Sequence, residues 1–475
     1  MRGEYLMQPS VMGFVVCVAL FCGAKLFRSS ILVALMASLA FGSTAIASLP
    51  SLGGSSPLIY TVFCGLLVLS VVWHRTALQD LGRAFTNYPA FWLVTLLMVY
   101  AVISCVFFPR IFAGQTSVFV PTKLGVSELA LAPVSGNISQ TGYFVLGGIT
   151  FMAVSLLLMR GVSIDDVRKG FFAWVFCHTA MGVLDLAGKM AGLGDILEPI
   201  RTASYAMLTE AQMSGFWRIA GAQAEASGFA GVSLACLPFC YVYWRRTGSR
   251  LALRLGLVLL ILVIFSTSST GYVGLAILSI PVMLSLLRSI GRQWLSSADV
   301  LILALFAMGF FAVLLILVTY PRFFDPFLTL FDTSVTNKMQ SSSGQERMYW
   351  NIKSLQSMID TRGLGVGFGS SRASSWPIAV VSQLGIAGSM LMALAVFMLT
   401  RETRAFRLNA DPETQAVVAA TRAAVLGGLV ASSMVSGTPD PGILFFVSLA
   451  VSTCVQARYA DQRGVMTAGI RHYPA

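Results

Sequence analysis

Between residues 9 and 457 the chain is a succession of apolar runs, each close to the length at which a helix crosses a bilayer. Crossing about 30 Å of hydrocarbon at about 1.5 Å per residue takes about 20 apolar residues. The runs are 9–24, 30–48, 57–73, 91–108, 141–159, 170–188, 227–244, 251–267, 270–286, 300–320, 378–399, 415–436 and 441–457. The first is short. Only a polar knot, Ser266-Thr267-Ser268-Ser269-Thr270-Gly271, divides the pair covering 251–286, so twelve or thirteen spans are expected. Backbone amides in hydrocarbon must be satisfied within their own segment. The expected fold class is therefore an all-α polytopic membrane protein, one integral domain over 1–475. The first run carries no cleavable-signal pattern and is expected to remain as a span. Charge supply agrees: 11% of the residues are charged, against about 25% in soluble domains. Soluble, disordered and fibrous classes are excluded.

The net charge of +12 invites a nucleic-acid reading, but its distribution argues otherwise. The connections 25–29, 74–90, 160–169, 245–250, 287–299, 400–414 and the tail from 458 hold 18 Lys/Arg in 84 residues. The alternate set contains three long loops, 108–140, 189–226 and 320–376, with 11 in 128 residues. Short loops rich in Lys and Arg stay on the cytoplasmic side. The long loops then face outward, the C-terminus is cytoplasmic, and nucleic acid is not an expected partner. The eight cysteines all fall in apolar stretches with no CxxC, and there are three histidines. Neither a disulfide framework nor a zinc site is supported, and no metal or cofactor is expected.

Chemistry is expected in the outer loops, since lipid-facing helices offer little. The stretch 320–376 opens with Pro321-Arg322-Phe323-Phe324-Asp325-Pro326-Phe327 and passes a turn at Ser341-Ser342-Ser343-Gly344. A helix is predicted over Glu346–Asp360, with Met348, Ile352, Leu355 and Ile359 on one face, lying near the membrane surface. A Gly-rich return, Gly363-Leu364-Gly365-Val366-Gly367-Phe368-Gly369, follows. No strand precedes it, so it is not a dinucleotide fingerprint; it reads as a flexible hinge or a backbone able to approach a phosphate. Arg218, Arg347 and Arg372 each stand beside Gly or aromatic residues. A guanidinium is always charged and grips phosphate oxygens through a planar fork. The plain alternative for each is snorkelling to headgroups or pairing with Glu and Asp; the three together favour a binding role. His178 and Asp185 lie seven apart on one face of a span and divide evenly between a functional and a packing role. Asn137-Ile138-Ser139 is a formal glycosylation sequon of low weight.

These pieces together resemble the O-antigen ligase and Wzy-type polysaccharide polymerase superfamily of bacterial inner membranes. The resemblance rests on Arg218-Ile219-Ala220-Gly221 with Glu225 and Ser227, then Phe265 and the polar knot. It continues through Gly344-Gln345-Glu346-Arg347-Met348-Tyr349-Trp350, the 363–369 Gly run, and Gln383-Leu384-Gly385-Ile386-Ala387-Gly388. It covers residues from about 140 onward; the motifs are degenerate and their order around one large outer loop carries it. It implies a GT-C-like, metal-independent inverting glycosyltransferase that takes a polyprenyl-diphosphate-linked oligosaccharide, with a chain-length co-polymerase as a further partner besides the lipid bilayer. By position, Arg218 and Arg347 would bind the diphosphate, Arg372 would join them, and Glu225 or else Glu346 would act as base. Ligases of the superfamily place a histidine late in the large loop. None occurs in 320–376, which favours a polymerase of exopolysaccharide or O-antigen. Many relatives also carry an arginine in the knot, where this chain has only Ser and Thr. The alternatives are the ligase itself, a lipid-linked oligosaccharide flippase, which should show repeat symmetry and mid-membrane charge, and a structural scaffold.

Overall fold

The structure is a computed structural model that describes residues 8–49, 55–122, 125–205, 207–209, 212–213, 216–292, 295–319 and 342–470. Helices are α1 (Val11–Leu26), α2 (Ile31–Ser38), α3 (Ile59–Val72), α4 (Ala77–Asn87), α5 (Pro89–Ile111), α6 (Ser135–Met159), α7 (Ile164–Met190) and α8 (Ala226–Thr247). They continue as α9 (Arg250–Phe265), α10 (Ser269–Gly291), α11 (Ser297–Thr319), α12 (Ser342–Asp360), α13 (Trp376–Thr400), α14 (Arg404–Asn409), α15 (Pro412–Val435) and α16 (Ile443–Ile470). Strands are short antiparallel pairs: β1 (Gln8–Pro9) with β2 (Ala47–Ser48), β3 (Ser117–Thr122) with β4 (Gly125–Ala130), and β5 (Gln212–Met213) with β6 (Phe216–Trp217).

Seven of these helices are long and apolar enough to cross a membrane, or eight if the pair α3 and α4, bent by 100°, counts as one span. Each expected run contains a helix, but not each is a span. The run 30–48 is the clearest departure: α2 has eight residues and gives way to a turn at Phe41-Gly42-Ser43, whose Ser43 amide donates to Ala222 O at 3.0 Å. An apolar composition without enough helix left the run looking longer than it is. The stretch 320–341 lies outside the described residues.

The two sets of connections occupy opposite ends of the bundle. Arg160 pairs with Asp80 at 2.8 Å, Arg168 with Glu413 at 3.2 Å and Arg245 with Asp299 at 2.7 Å, each bond joining two members of the basic set. At the other end, Thr116 Oγ1 donates to Asp360 at 2.7 Å and Lys353 pairs with Glu128 at 3.5 Å, tying the long loops together. The core of the bundle is the seam of α8 against α15, where small residues let the backbones approach. A β-carbon on Gly427 would stand 2.1 Å from Leu234 O, and one on Gly231 would meet Ala431 Cβ at 3.8 Å.

Helix α12 starts at Ser342, four residues before the expected Glu346, and ends at Asp360 as expected. Its serine face is the one that docks. Ser354 and Ser357 are buried, and Ser357 Oγ donates to Ser117 O at 3.0 Å. Phe119 of β3 packs on Tyr349 and Trp350. The stripe of Met348, Ile352, Leu355 and Ile359 is exposed, as on a helix that lays that face against lipid.

Candidate functional site

Three segments carry the arginines. The first is the strand β6 and the turn after it. Its shape is set by a buried ionic cluster at the end of α7. Asp185 Oδ2 accepts the amides of Ala220 and Gly221 at 2.7 and 3.0 Å. Lys189, one turn further along the helix, pairs with Asp185 at 3.0 Å and donates to Arg218 O at 2.7 Å and Thr209 O at 2.9 Å. Arg201 closes the cluster on Asp185, Asp195 and Gly221 O. Asp185 is thus neither wet nor free: it fixes the backbone that presents Arg218. His178 is wholly buried, bonded through Nε2 to Ser233 Oγ at 2.9 Å and stacked on Phe229. Its role is packing.

Arg218 itself is half-buried. Its side chain makes no hydrogen bond or ion pair among the described residues, and its Nε is buried without an acceptor. Burial holds its pKa below the ordinary guanidinium range, with Glu225 and Tyr272 acting in the opposite direction. Tyr272 stands in the first turn of α10, directly after the knot, whose Thr267 takes a left-handed φ of 48°. The buried hydroxyls of Thr267 and Ser268 lack partners. A β-branched residue in that conformation stores strain.

The second segment is 370–375, led in by the Gly run. That run is neither a hinge nor a phosphate cradle. Val366 and Phe368 are fully buried, and the run threads through a break in α13 at Gly385, which has φ 63° and ψ −164°. Val366 and Gly367 amides donate to Ser382 O and Gln383 O at 2.9 and 3.0 Å, and the Ile386 amide returns to Gly363 O at 2.9 Å. Gly369 N donates to Gln383 Oε1 at 2.8 Å. The run therefore satisfies the backbone groups that the break frees, which is how a membrane helix tolerates an interruption. The sequence pattern could not show this, because the partner segment lies some twenty residues on. Asn137 serves the same strut: its amide donates to Phe368 O and Ser370 Oγ, both at 2.7 Å, and it is 4% exposed. The sequon is structural.

Beyond the strut, Arg372 N donates to Phe119 O at 2.8 Å and Ser374 N to Asn351 Oδ1 at 2.9 Å. The backbone is pinned while the Arg372 guanidinium carries no hydrogen bond or ion pair among the described residues. It is solvent-accessible along the side chain yet enclosed by surrounding protein. Burial lowers its pKa, Arg347 lowers it further, and Glu225 opposes both. The third segment is α12, where Arg347 is half-buried and donates through Nη1 to Met434 O at 3.3 Å. Arg347 and Glu225 thus act on Arg372, and Glu225 acts on Arg218. Glu225 caps α8 in an extended conformation and accepts from Ser227 Oγ. Glu346, the neighbour of Arg347, is exposed and has no contact that joins it to this cluster; successive helical residues point about 100° apart.

Ser227 also lines a cleft of about 360 Å³ between α8, α15 and the start of α16, together with Gln223, Gly231, Gly428, Ser432 and Pro441. The cluster and the cleft thus share one strand-to-helix junction. Sequence reasoning missed Lys189 and Arg201, although Asp185 and Lys189 at i and i+4 are a visible pair signal. Comparison with known families and with curated proteins finds no match to this chain.

Proposed function

We propose that the protein is a glycosyltransferase of the outer face of a bacterial inner membrane that polymerises polyprenyl-diphosphate-linked oligosaccharide units. In this reading it adopts a GT-C-like architecture of membrane helices with a cytoplasmic C-terminus. The observation that carries the reading is that Arg218 and Arg372, from separate segments, both lie within electrostatic reach of Glu225, while Arg347 of a third segment acts on Arg372. Holding like charges together is unfavourable unless something anionic repays it. Three guanidiniums against one carboxylate leave a double positive charge, equal to the double negative charge of a diphosphate diester. A buried guanidinium Nε without an acceptor likewise costs free energy that a phosphate oxygen would recover.

The chemistry follows from the charge. When a sugar leaves a diphosphate, negative charge grows on the departing oxygen, and fixed cations in a site shielded from water stabilise it without reorganisation. The glycan would approach from the outer loops, and the prenyl chain would stay in lipid. The absence of histidine in 320–376 keeps polymerase ahead of ligase. The test is Arg347→Ala in a strain deleted for the gene, with membrane insertion checked by blotting. We expect long polymer to vanish while single-unit products persist on their acceptor. Wild-type polymer in that variant would remove the diphosphate clamp, and polymer piling up on the carrier after deletion would instead mark a ligase.

A further inference from the structure

A second cavity lies away from the arginine cluster, toward the end of the bundle that carries the basic connections. It holds about 300 Å³ and is walled by α8, α9, α10 and α11. Its lining includes Tyr241 and Trp244 late in α8, Leu253 and Leu257 early in α9, Val282 in α10 and Ile302 early in α11. None of the lining residues is charged. Protein interiors pack like organic crystals, with few voids larger than a water molecule, and a cavity without polar partners does not hold water. A gap of this size and lining between membrane helices suits an apolar chain.

The cavity marks the place where α11 stands off from the bundle. No other helix runs closely alongside α11 among the described residues, and its Phe306, Met308, Phe310 and Phe311 are exposed. What joins α11 to α8 is polar and terminal. Arg245, next to Trp244, pairs with Asp299 at 2.7 Å and donates to Ser296 Oγ at 3.3 Å. Asp299 is one turn from Ile302, so this ion pair stands at the cavity's polar end. Cations without partners stand beside it. Arg246, Arg250 and Arg254 are exposed, and their side chains make no hydrogen bond or ion pair among the described residues. Arg250 lies one turn before Leu253, and Arg254 directly follows it. Orientation asks only for cations in the connecting loop. Arg254 sits a full turn inside α9, where a cation without an anion is unfavourable.

We propose that this cavity takes an acyl chain of an anionic glycerophospholipid, that Arg250 and Arg254 hold its phosphate, and that the lipid is the wedge that seats α11 against the bundle. The apolar walls and the cationic rim together define the ligand. A free phosphate would leave the cavity empty, and a zwitterionic lipid would bring its own cation to a rim already in positive excess. An anionic headgroup near a cluster of arginines gains from each of them, while its chain restores the packing that the gap lacks. The site does not depend on the glycan reading above and stands if that reading falls.

The experiment uses the full-length protein in phosphatidylcholine nanodiscs containing a fixed fraction of lipid brominated on its acyl chains, and reads tryptophan fluorescence. Trp244 lines the cavity, and bromine quenches an indole at close contact. We expect brominated phosphatidylglycerol to quench more than brominated phosphatidylcholine at equal fraction, and this excess to disappear in Trp244→Phe. Arg250→Gln combined with Arg254→Gln should bring phosphatidylglycerol down to the level of phosphatidylcholine. Val282→Phe, which fills the cavity from α10, should reduce the excess with the arginines intact. Unlabelled phosphatidylglycerol should raise the melting temperature of the wild type and not that of the double variant. Equal quenching by the two lipids in the wild type overturns the proposal, as does an excess that survives in Trp244→Phe. Displacement of the probe by undecaprenyl phosphate at a lower fraction than by unlabelled phosphatidylglycerol would make this a prenyl site and overturn it too. So would a dimer in the nanodisc with Trp244 unquenched, which would put a second copy in the gap.

Discussion

At the scale of single residues, the C-terminal end of α7 shows how a buried charge shapes a site it does not enter. Asp185 and Lys189 have side chains 1% and 2% exposed, and with Arg201 they form a set in which no charge faces lipid alone. Removing Asp185 leaves Lys189 buried without a carboxylate, which typically costs about 3–5 kcal/mol, while Arg201 keeps Asp195. We therefore expect Asp185→Ala to lower the melting temperature of the detergent-solubilised protein sharply and to abolish activity, since Lys189 and the amides of Ala220 and Gly221 lose their acceptor. Asp185→Asn, which keeps an acceptor oxygen of the same shape, should be milder on both counts. An unchanged melting temperature in the alanine variant would mean that the cluster does not hold the Arg218 turn. Residue types and spacing make Arg218, Arg347 and Arg372 legible in the sequence, because charge is so scarce that any outward arginine stands out. Arg201 is not legible in the same way. It lies in the loop 189–226 with no signal of its own, and its place in the cluster comes from Asp185 on α7 and from the Gly221 carbonyl.

At the scale of elements, apolar run length locates helices well and their continuity poorly. The run 378–399 contains a helix, yet nothing local announces that it is broken at Gly385 and stitched by 363–369. Each of the two glycine-rich motifs is ordinary alone. Their meaning is mutual: a β-carbon on Gly365 would stand 2.6 Å from Gly385 N, and one on Gly385 2.4 Å from the Leu364 carbonyl carbon. The crossing admits glycine on both sides. Gly367 gives the cleanest test, since its φ is +94° and a β-carbon would meet Ser104 O at 2.5 Å. Overpacking of this kind costs about 1–3 kcal/mol, and a left-handed conformation about 1–2 kcal/mol more. Gly367→Ala should therefore reduce the yield of folded protein and its melting temperature. Gly142→Ala, on α6 with nothing within 4 Å, should be neutral or slightly stabilising, as alanine replacing glycine in a helix usually is. Equal behaviour of the two variants would show that the strut is not tight.

At the scale of the whole molecule, the fold separates two kinds of charge that composition alone merges. The basic connections pair with acidic residues of their own set at one end: Arg160 with Asp80, Arg168 with Glu413, Arg245 with Asp299. At the other end Arg201 is tied to Asp185 and Asp195, while the side chains of Arg218 and Arg372 carry no hydrogen bond or ion pair among the described residues. An excess of Lys and Arg in short loops sets orientation, whereas a few cations in long loops are free to bind. Under the proposed function the two roles fall at opposite ends, because a diphosphate clamp among the paired acidic residues of the basic set would compete with them. This division makes sidedness a decisive measurement. With the exposed Cys22 replaced by serine, Gln115→Cys and Glu346→Cys should react with a membrane-impermeant maleimide in intact spheroplasts. Arg292→Cys and Arg407→Cys should react only after permeabilisation. The reverse pattern would place Arg218, Arg347 and Arg372 in the cytoplasm. It would leave the arginines as a possible anion site, but on the wrong face of the membrane for joining glycans that are assembled outside it.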